Sequence, residues 1–225
     1  MAVKEASHLV DLRLNMVDEI AQHALLSGER IGKEALDERV MEALRRVPRH
    51  EFVPAEVRNY AYFDTPLPIG GGKTISQPFM AAVMTDLLDI AATDTVLEIG
   101  TGLGYHAALL AELAASVYTI EIVAELGELA RGKLAELGYA NIHTRIGDGS
   151  GGWAEHAPFD KMLVAAAPAS VPDFLLRQLK PGGRMVIPVG PEAAQELVVV
   201  EKGGDEISEA RNIFPVRFGP MVAGH

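Results

Sequence analysis

Residues 96–104 read Val-Leu-Glu-Ile-Gly-Thr-Gly-Leu-Gly, and no other stretch constrains the fold as tightly. Thr95, Val96, Leu97 and Ile99 have the β-branched and apolar composition of a buried strand. Gly100, Gly102 and Gly104 follow at alternate positions, and residues 105–113 then turn to helical spacing. A strand, a glycine turn and a helix open a βαβ unit of the kind that holds a nucleotide-like ligand. The same turn also occurs where a chain merely reverses between strand and helix.

The glycine spacing bears on which ligand. A dinucleotide turn reads G-x-G-x-x-G, and here Tyr105 stands where the third glycine belongs. Glu98 ends the strand, where a carboxylate repels a pyrophosphate. A ligand with a cationic amino-acid tail and no phosphates fits better, and S-adenosylmethionine is the common one. Glu121 ends the next strand, residues 116–120, where an acidic side chain binds both ribose hydroxyls. Gly147-Asp148-Gly149 closes a third strand over 142–146. Asp148 is either a plain turn residue or an acceptor for an adenine amino group, and its place after Glu98 and Glu121 favours the second.

A chain of 225 residues suits one domain, here expected over 1–225, with 1–78 as helices and a loop packed on a sheet core over 79–225. Thirty-one acidic against twenty basic residues give a net charge of −11, which opposes a long nucleic-acid track. With no cysteine, a cysteine nucleophile, a thiolate metal site and disulfides are excluded, and so is cytosine C5 methylation, which needs a cysteine adduct. No apolar run reaches membrane-spanning length, and the first residues lack a signal-peptide core, so a cytoplasmic monomer is the expectation. The seven histidines are scattered and show no metal-ligand spacing, so no metal is expected.

Helices are expected over 8–26, with Ser7 as N-cap, and over 33–46, stopping at Pro48. Residues 48–78 carry five prolines, three successive glycines and no clear periodicity, the mark of a functional loop. That loop ends Thr74-Ile-Ser-Gln-Pro78, just before a helical run over 79–88. Ser76 either caps that helix or, with Thr74 and free N–H groups at the helix start, binds an anionic substrate or the cofactor carboxylate. Further along, a helix is expected over 124–137, a strand over 159–167, a helix over 175–179, a turn at 181–183, and strands over 184–188 and 196–201. Residues 216–222 finish the chain against the sheet or the site. The tetrapeptide Asn/Asp-Pro-Pro-Tyr/Phe that receives an amine in N6-amino methyltransferases is absent, and small residues Ala165-Ala166-Ala167 stand at that strand end.

Taken together, the stretches Val47-Pro-Arg-His-Glu-Phe-Val-Pro54, Asp64-Thr-Pro-Leu-Pro-Ile-Gly70, Thr74-Ile-Ser-Gln-Pro78, 96–104, Gly147-Asp-Gly149 and Leu179-Lys-Pro-Gly-Gly-Arg184 resemble the protein-L-isoaspartate (D-aspartate) O-methyltransferase family. The resemblance implies a class I, Rossmann-like methyltransferase fold: a seven-stranded, mostly parallel sheet with helices on both faces. It implies methylation of the α-carboxylate of L-isoaspartyl and D-aspartyl residues in damaged proteins and peptides, with S-adenosyl-L-methionine as donor. By position it makes Ser76 the active-site serine beside Thr74 and Ile75. It assigns Glu98, Gly100, Thr101, Gly102 and Gly104 to the methionine portion, Glu121 and Ile122 to the ribose, and Asp148 and Gly149 to the adenine. Ala165, Ala166 and Ala167, with Ile75 and Ser76, line the substrate. The chain departs from the family's usual residues at Lys73, Leu103 and His106, at Ala81, and at Pro220-Met221-Val222, where a hydroxyl is lost. Two rivals share the cofactor residues: a carboxyl or hydroxyl methyltransferase with another acceptor, and a cofactor-binding module without turnover.

Overall fold

Val96 and Leu97 are adjacent and both fully buried, so this strand is covered on both faces. Val96 packs into an apolar cluster with Met16, Leu44, Met84 and Leu109, whereas Leu97 joins Met162, Leu175 and Met185 on the other side. Strand side chains alternate between faces, and a sheet buried on both must lie between two layers.

The computed structural model describes residues 7–204 and 206–222. In chain order it runs α1 (Ser7–Leu26), α2 (Gly28–Ile31), α3 (Glu38–Arg46), short 3-10 turns at Arg49–Phe52 and Ala55–Tyr60, β1 (Leu67–Gly70), β2 (Lys73–Ile75) and α4 (Pro78–Leu87). Then come β3 (Thr95–Ile99), α5 (Tyr105–Ala111), β4 (Ser116–Glu121), α6 (Ala124–Glu136), β5 (Ile142–Ile146) and β6 (Phe159–Val164). The last elements are α7 (Asp173–Gln178), β7 (Leu179–Val189), β8 (Gln195–Lys202) and β9 (Ile207–Val216).

The main sheet has seven strands in the order β5-β4-β3-β6-β7-β8-β9. Strands β3 to β7 pair in parallel, and β8 is antiparallel to both its neighbours. Because β4 and β5 build to one side of β3 and β6 and β7 to the other, the winding reverses between β3 and β6. A crevice opens there at the carboxyl ends of the strands, the place where open α/β sheets bind ligands. This is the class I methyltransferase architecture.

Several boundaries differ from the sequence expectation, each for a local reason. Ser7 already lies within α1 rather than before it. The second long helix starts at Glu38, not Lys33, because Asp37 caps it by accepting from the Arg39 N–H at 2.8 Å. Lys33 instead reaches across to Asp86 at 2.7 Å. The expected turn at 181–183 is a bulge inside β7, where the pairing with β6 shifts register between Phe159 and Lys161. Gly183 is packed so closely there that a Cβ would stand 2.8 Å from the Lys180 carbonyl oxygen. Strand β9 was not expected. Most of it is exposed at the sheet edge, so it lacks the alternation that marks a half-buried strand. The loop over 48–78 is ordered into two 3-10 turns and the β1–β2 hairpin.

Candidate active site

The glycine turn is narrow because its neighbours leave no room for side chains. Gly100 has φ +98°, and a Cβ there would stand 3.3 Å from the Ala165 Cβ. Gly102 has φ +56°, and a Cβ there would meet Ile69 Cδ1 at 3.1 Å. Ile69 belongs to the β1–β2 hairpin, so the hairpin lies over the glycine turn. Between them, at the carboxyl edge of the sheet, is a cavity of about 520 Å3. Its wall includes Thr74, Ile75 and Ser76, then Gly100, Thr101 and Gly102, then Glu121, Ile122, Gly149, Ala165 and Ala166. Most of the residues expected at the site therefore converge on one space.

Glu121 is oriented by the backbone: its Oε2 accepts from the Gly102 N–H at 2.7 Å and its Oε1 from the Val123 N–H at 2.9 Å. It is the one carboxylate in the cavity wall among the described residues. Gly149 is buried against Ile99, whose Cγ2 would lie 2.8 Å from a Cβ at that position. Asp148 stands just outside the wall and folds back, its Oδ1 accepting from the Ser150 N–H at 2.7 Å. Gly104 also lies outside the wall and serves as N-cap of α5.

Glu98 sits beneath the glycine turn, fully buried and out of the cavity wall. Its Oε2 accepts from Thr119 Oγ1 at 2.5 Å, Thr119 Oγ1 in turn meets Thr101 Oγ1 at 2.5 Å, and Glu98 Oε1 has no partner. Burial raises its pKa to about 8, against the Thr119 hydrogen bond and with the help of Glu121. At neutral pH it is largely protonated. The repulsion of a pyrophosphate expected from Glu98 must therefore come from Glu121.

The structure separates the two readings of Ser76. The cap of α4 is Asp64, fourteen residues before Pro78: its Oδ1 accepts from the Phe79 N–H at 2.8 Å and its Oδ2 from Gln77 Nε2 at 2.9 Å. Ser76 does not cap the helix, and the Phe79 N–H is not free for an anion. The Ser76 carbonyl accepts from Arg49 Nη2 at 2.7 Å, while no hydrogen bond holds its hydroxyl among the described residues. Arg49 is completely buried, donates through Nε to the Ala61 carbonyl at 2.8 Å and lies 4.8 Å from the Tyr105 ring centre. Burial pushes its pKa below the ordinary guanidinium value. Ser76 thus offers a free hydroxyl to the cavity from a backbone clamped on both sides.

On the opposite wall, the Ala167 N–H donates to the Gly219 carbonyl at 2.8 Å and the Met221 N–H to the Ala167 carbonyl at 3.0 Å. These bonds leave Ala167 outside the wall, with Ala165 and Ala166 facing it. Residues 215–222 complete the wall, held by Gln195, which donates to the Phe218 carbonyl at 3.0 Å and accepts from the Phe218 N–H at 2.6 Å. His106 also faces the cavity. Since Thr85 Oγ1 donates to the Ala81 carbonyl at 2.8 Å, His106 Nε2 carries the proton in its 2.9 Å contact with Thr85. Burial, with the nearby Arg49 charge, lowers its pKa to about 3 and keeps it neutral.

Arg49, Asp64 and Gln195 were not singled out from the sequence. Each is a polar side chain whose partners lie 12 or more residues away along the chain, and no local spacing reveals such a pairing. Glu19, His23 and Asp64 also offer ligand atoms all within 4.8 Å of one another, a grouping the scattered histidines concealed. There His23 Nδ1 lies 2.8 Å from an Asp64 oxygen that already accepts from Gln77, so the contact reads as a brace on the α4 cap.

S-adenosylmethionine fits this donor set. Glycines that admit no side chain give close backbone approach, Glu121 offers acceptors to hydroxyls, and a carboxylate in the wall suits a cation. The matching family model is that of protein-L-isoaspartate (D-aspartate) O-methyltransferase, over residues 21–225. A protein-L-isoaspartate O-methyltransferase of Syntrophobacter fumaroxidans is 57% identical over 214 residues, covering 95% of this chain and 87% of that one. One from Archaeoglobus fulgidus is 50% identical over 197 residues, 86% of this chain and 90% of its own. Among solved structures, a protein-L-isoaspartate O-methyltransferase superposes with a TM-score of 0.81 at 25% identity, over 95% of this chain and 66% of that one. A Plasmodium falciparum protein solved with S-adenosyl-L-homocysteine shares the fold at a TM-score of 0.77 and 20% identity, over 93% of this chain and 98% of its own. With its glycine turn, its free serine and these relatives, the chain belongs to the protein-L-isoaspartate (D-aspartate) O-methyltransferase family.

Proposed function

We infer that this enzyme methylates the free α-carboxylate of isoaspartyl residues in damaged proteins and peptides. The observation that carries this reading is the Ser76 hydroxyl, unengaged in the cavity wall on a backbone clamped by Arg49 and Asp64. When bound, S-adenosylmethionine supplies a methyl group on a positively charged sulfur. Gly100, Thr101 and Gly102 would hold its amino-acid end, with Gly104 starting the helix behind them and Glu98 supporting the turn from below. Glu121 and Ile122 would hold the ribose, and Asp148 and Gly149 the adenine.

The acceptor needs no base. An α-carboxyl group has a pKa of about 3.5 and is ionised at neutral pH. Among the described residues no basic side chain meets Ser76 Oγ, so the serine orients the anion by donating a hydrogen bond and is not a nucleophile. Thr74 and Ile75 on one side and Ala165 and Ala166 on the other would guide the substrate backbone. The hairpin would shield the anion from water, which otherwise solvates it and slows its attack; orientation of the two reactants contributes at most about 7–11 kcal/mol.

The reading extends to a monomer working as one domain in the cytoplasm, without nucleic-acid or membrane partners. No helix among the described residues is long and apolar enough to cross a membrane, and the net charge is −11. Repeated turnover is the test of the repair role. A methyl ester at that carboxyl cyclises to a succinimide that reopens partly to normal aspartate. An isoaspartyl peptide incubated with enzyme and donor should convert progressively to the aspartyl form, resolved by chromatography. An ester that accumulates without any aspartyl product would refute repair.

A further inference from the structure

The cavity wall is less acidic than the molecule as a whole. The protein carries −11, yet the wall contains Lys73 and Arg217 against a single carboxylate, Glu121, which is turned toward two backbone N–H groups. Elsewhere Lys33, Lys133 and Lys180 each meet a carboxylate within 2.9 Å. Lys73 meets none: no hydrogen bond or ion pair holds its ammonium among the described residues. Arg217 lies 3.7 Å from Glu192 with both side chains over 80% exposed, a contact that leaves most of its charge to solvent.

Lys73 is half-buried at the start of β2 and, by strand alternation, shares a face with the buried Ile75. Ser76 lies three positions further along, a separation of roughly 10 Å in extended chain. That separation matches the span from an isoaspartyl residue to side chains one to three positions along an extended substrate. We propose that Lys73 is a specificity residue that favours isoaspartyl substrates carrying an acidic side chain within about three residues of the damaged site. The inference rests on the isoaspartyl reading above.

The test compares three synthetic peptides with one isoaspartyl residue and Glu, Gln or Lys at the second position on both sides, using labelled donor and measuring kcat/KM. The wild-type enzyme should prefer the Glu over the Lys peptide by about fivefold or more, the scale of one partly exposed charge pair. Raising salt to 1 M should shrink that ratio, because screening then acts within about 3 Å. Lys73→Gln should bring the ratio toward one and Lys73→Glu should invert it. A wild-type enzyme indifferent to flanking charge overturns the proposal, as does a preference that survives both substitutions. So does a loss of S-adenosylhomocysteine affinity in Lys73→Gln matching its loss of activity, which would assign the lysine to the cofactor instead. Failure to label any of the three peptides overturns the isoaspartyl reading itself, an outcome distinct from labelling without charge preference.

Discussion

The Ser76 hydroxyl has one task in this account, donating to an anion. A hydrogen bond to a charged group contributes about 1.5–3 kcal/mol, so Ser76→Ala should lower kcat about 10- to 100-fold. Calorimetric affinity for S-adenosylhomocysteine should stay within about threefold, and unchanged turnover would remove Ser76 from the chemistry. Two buried groups set the response to pH. Glu98 has a pKa raised from 4.5 to about 8, so the native state keeps its proton longer than the unfolded chain and stability falls as pH rises between those values. His106 has a pKa lowered from 6.5 to about 3, so the unfolded chain takes a proton first and stability falls as pH drops through that window. The two slopes oppose each other between about pH 4.5 and 6.5; below that range Asp37, Glu51 and Asp160, whose pKa values are also lowered, add to the loss of stability. Thermal unfolding of Glu98→Gln should lose the decline between pH 6.5 and 8, and His106→Gln should show a shallower decline between pH 4.5 and 3. Parent-like slopes in both variants would contradict these assignments. Residue by residue, the place of Glu121 at a strand end was legible in the sequence, whereas Ser76 stayed open between a helix cap and a ligand contact until the Asp64 cap of α4 was seen. The protonation of Glu98 was not legible, since it depends on burial beneath a turn.

The segment 76–79 works as an element only because distant side chains fix it. Asp64 caps α4 and holds Gln77, and Arg49 holds the Ser76 carbonyl. Asp64→Ala removes a cap that contributes about 1 kcal/mol, enough to lower Tm by about 2–4 °C. It should also reduce kcat more than it weakens S-adenosylhomocysteine binding, because the loosened part is the serine and not the glycine turn. Equal losses in both would show that Asp64 acts on the fold alone. The elements themselves were largely readable. Strands β3 and β5, with their glycine and Gly-Asp-Gly ends, and β4, with Glu121 at its end, follow from composition and period, and the long helices from their apolar stripes. What stayed hidden was set by tertiary contact: the late start of α3 at the Asp37 cap, the bulge at Gly183, and the exposed edge strand β9.

At the scale of the molecule, the fold brings three chain regions to one crevice. The hairpin and α4 start come from the first third, the glycine turn and Glu121 from the middle, and residues 215–222 from the end. A seven-stranded, mostly parallel sheet was implied by the family resemblance, but the closing wall at 215–222 depends on Gln195 and on the Ala167 pairing with residues 219–221. The central claim is that this cavity delivers an isomerised α-carboxylate, and no ordinary side-chain carboxylate, to the donor's methyl group. The most direct measurement is the initial rate of label transfer to two peptides identical except for an isoaspartyl or an aspartyl residue at one position. The account predicts rapid methylation of the isoaspartyl peptide and none above background for its aspartyl twin; equal rates for the two, or labelling of the aspartyl peptide alone, would contradict it.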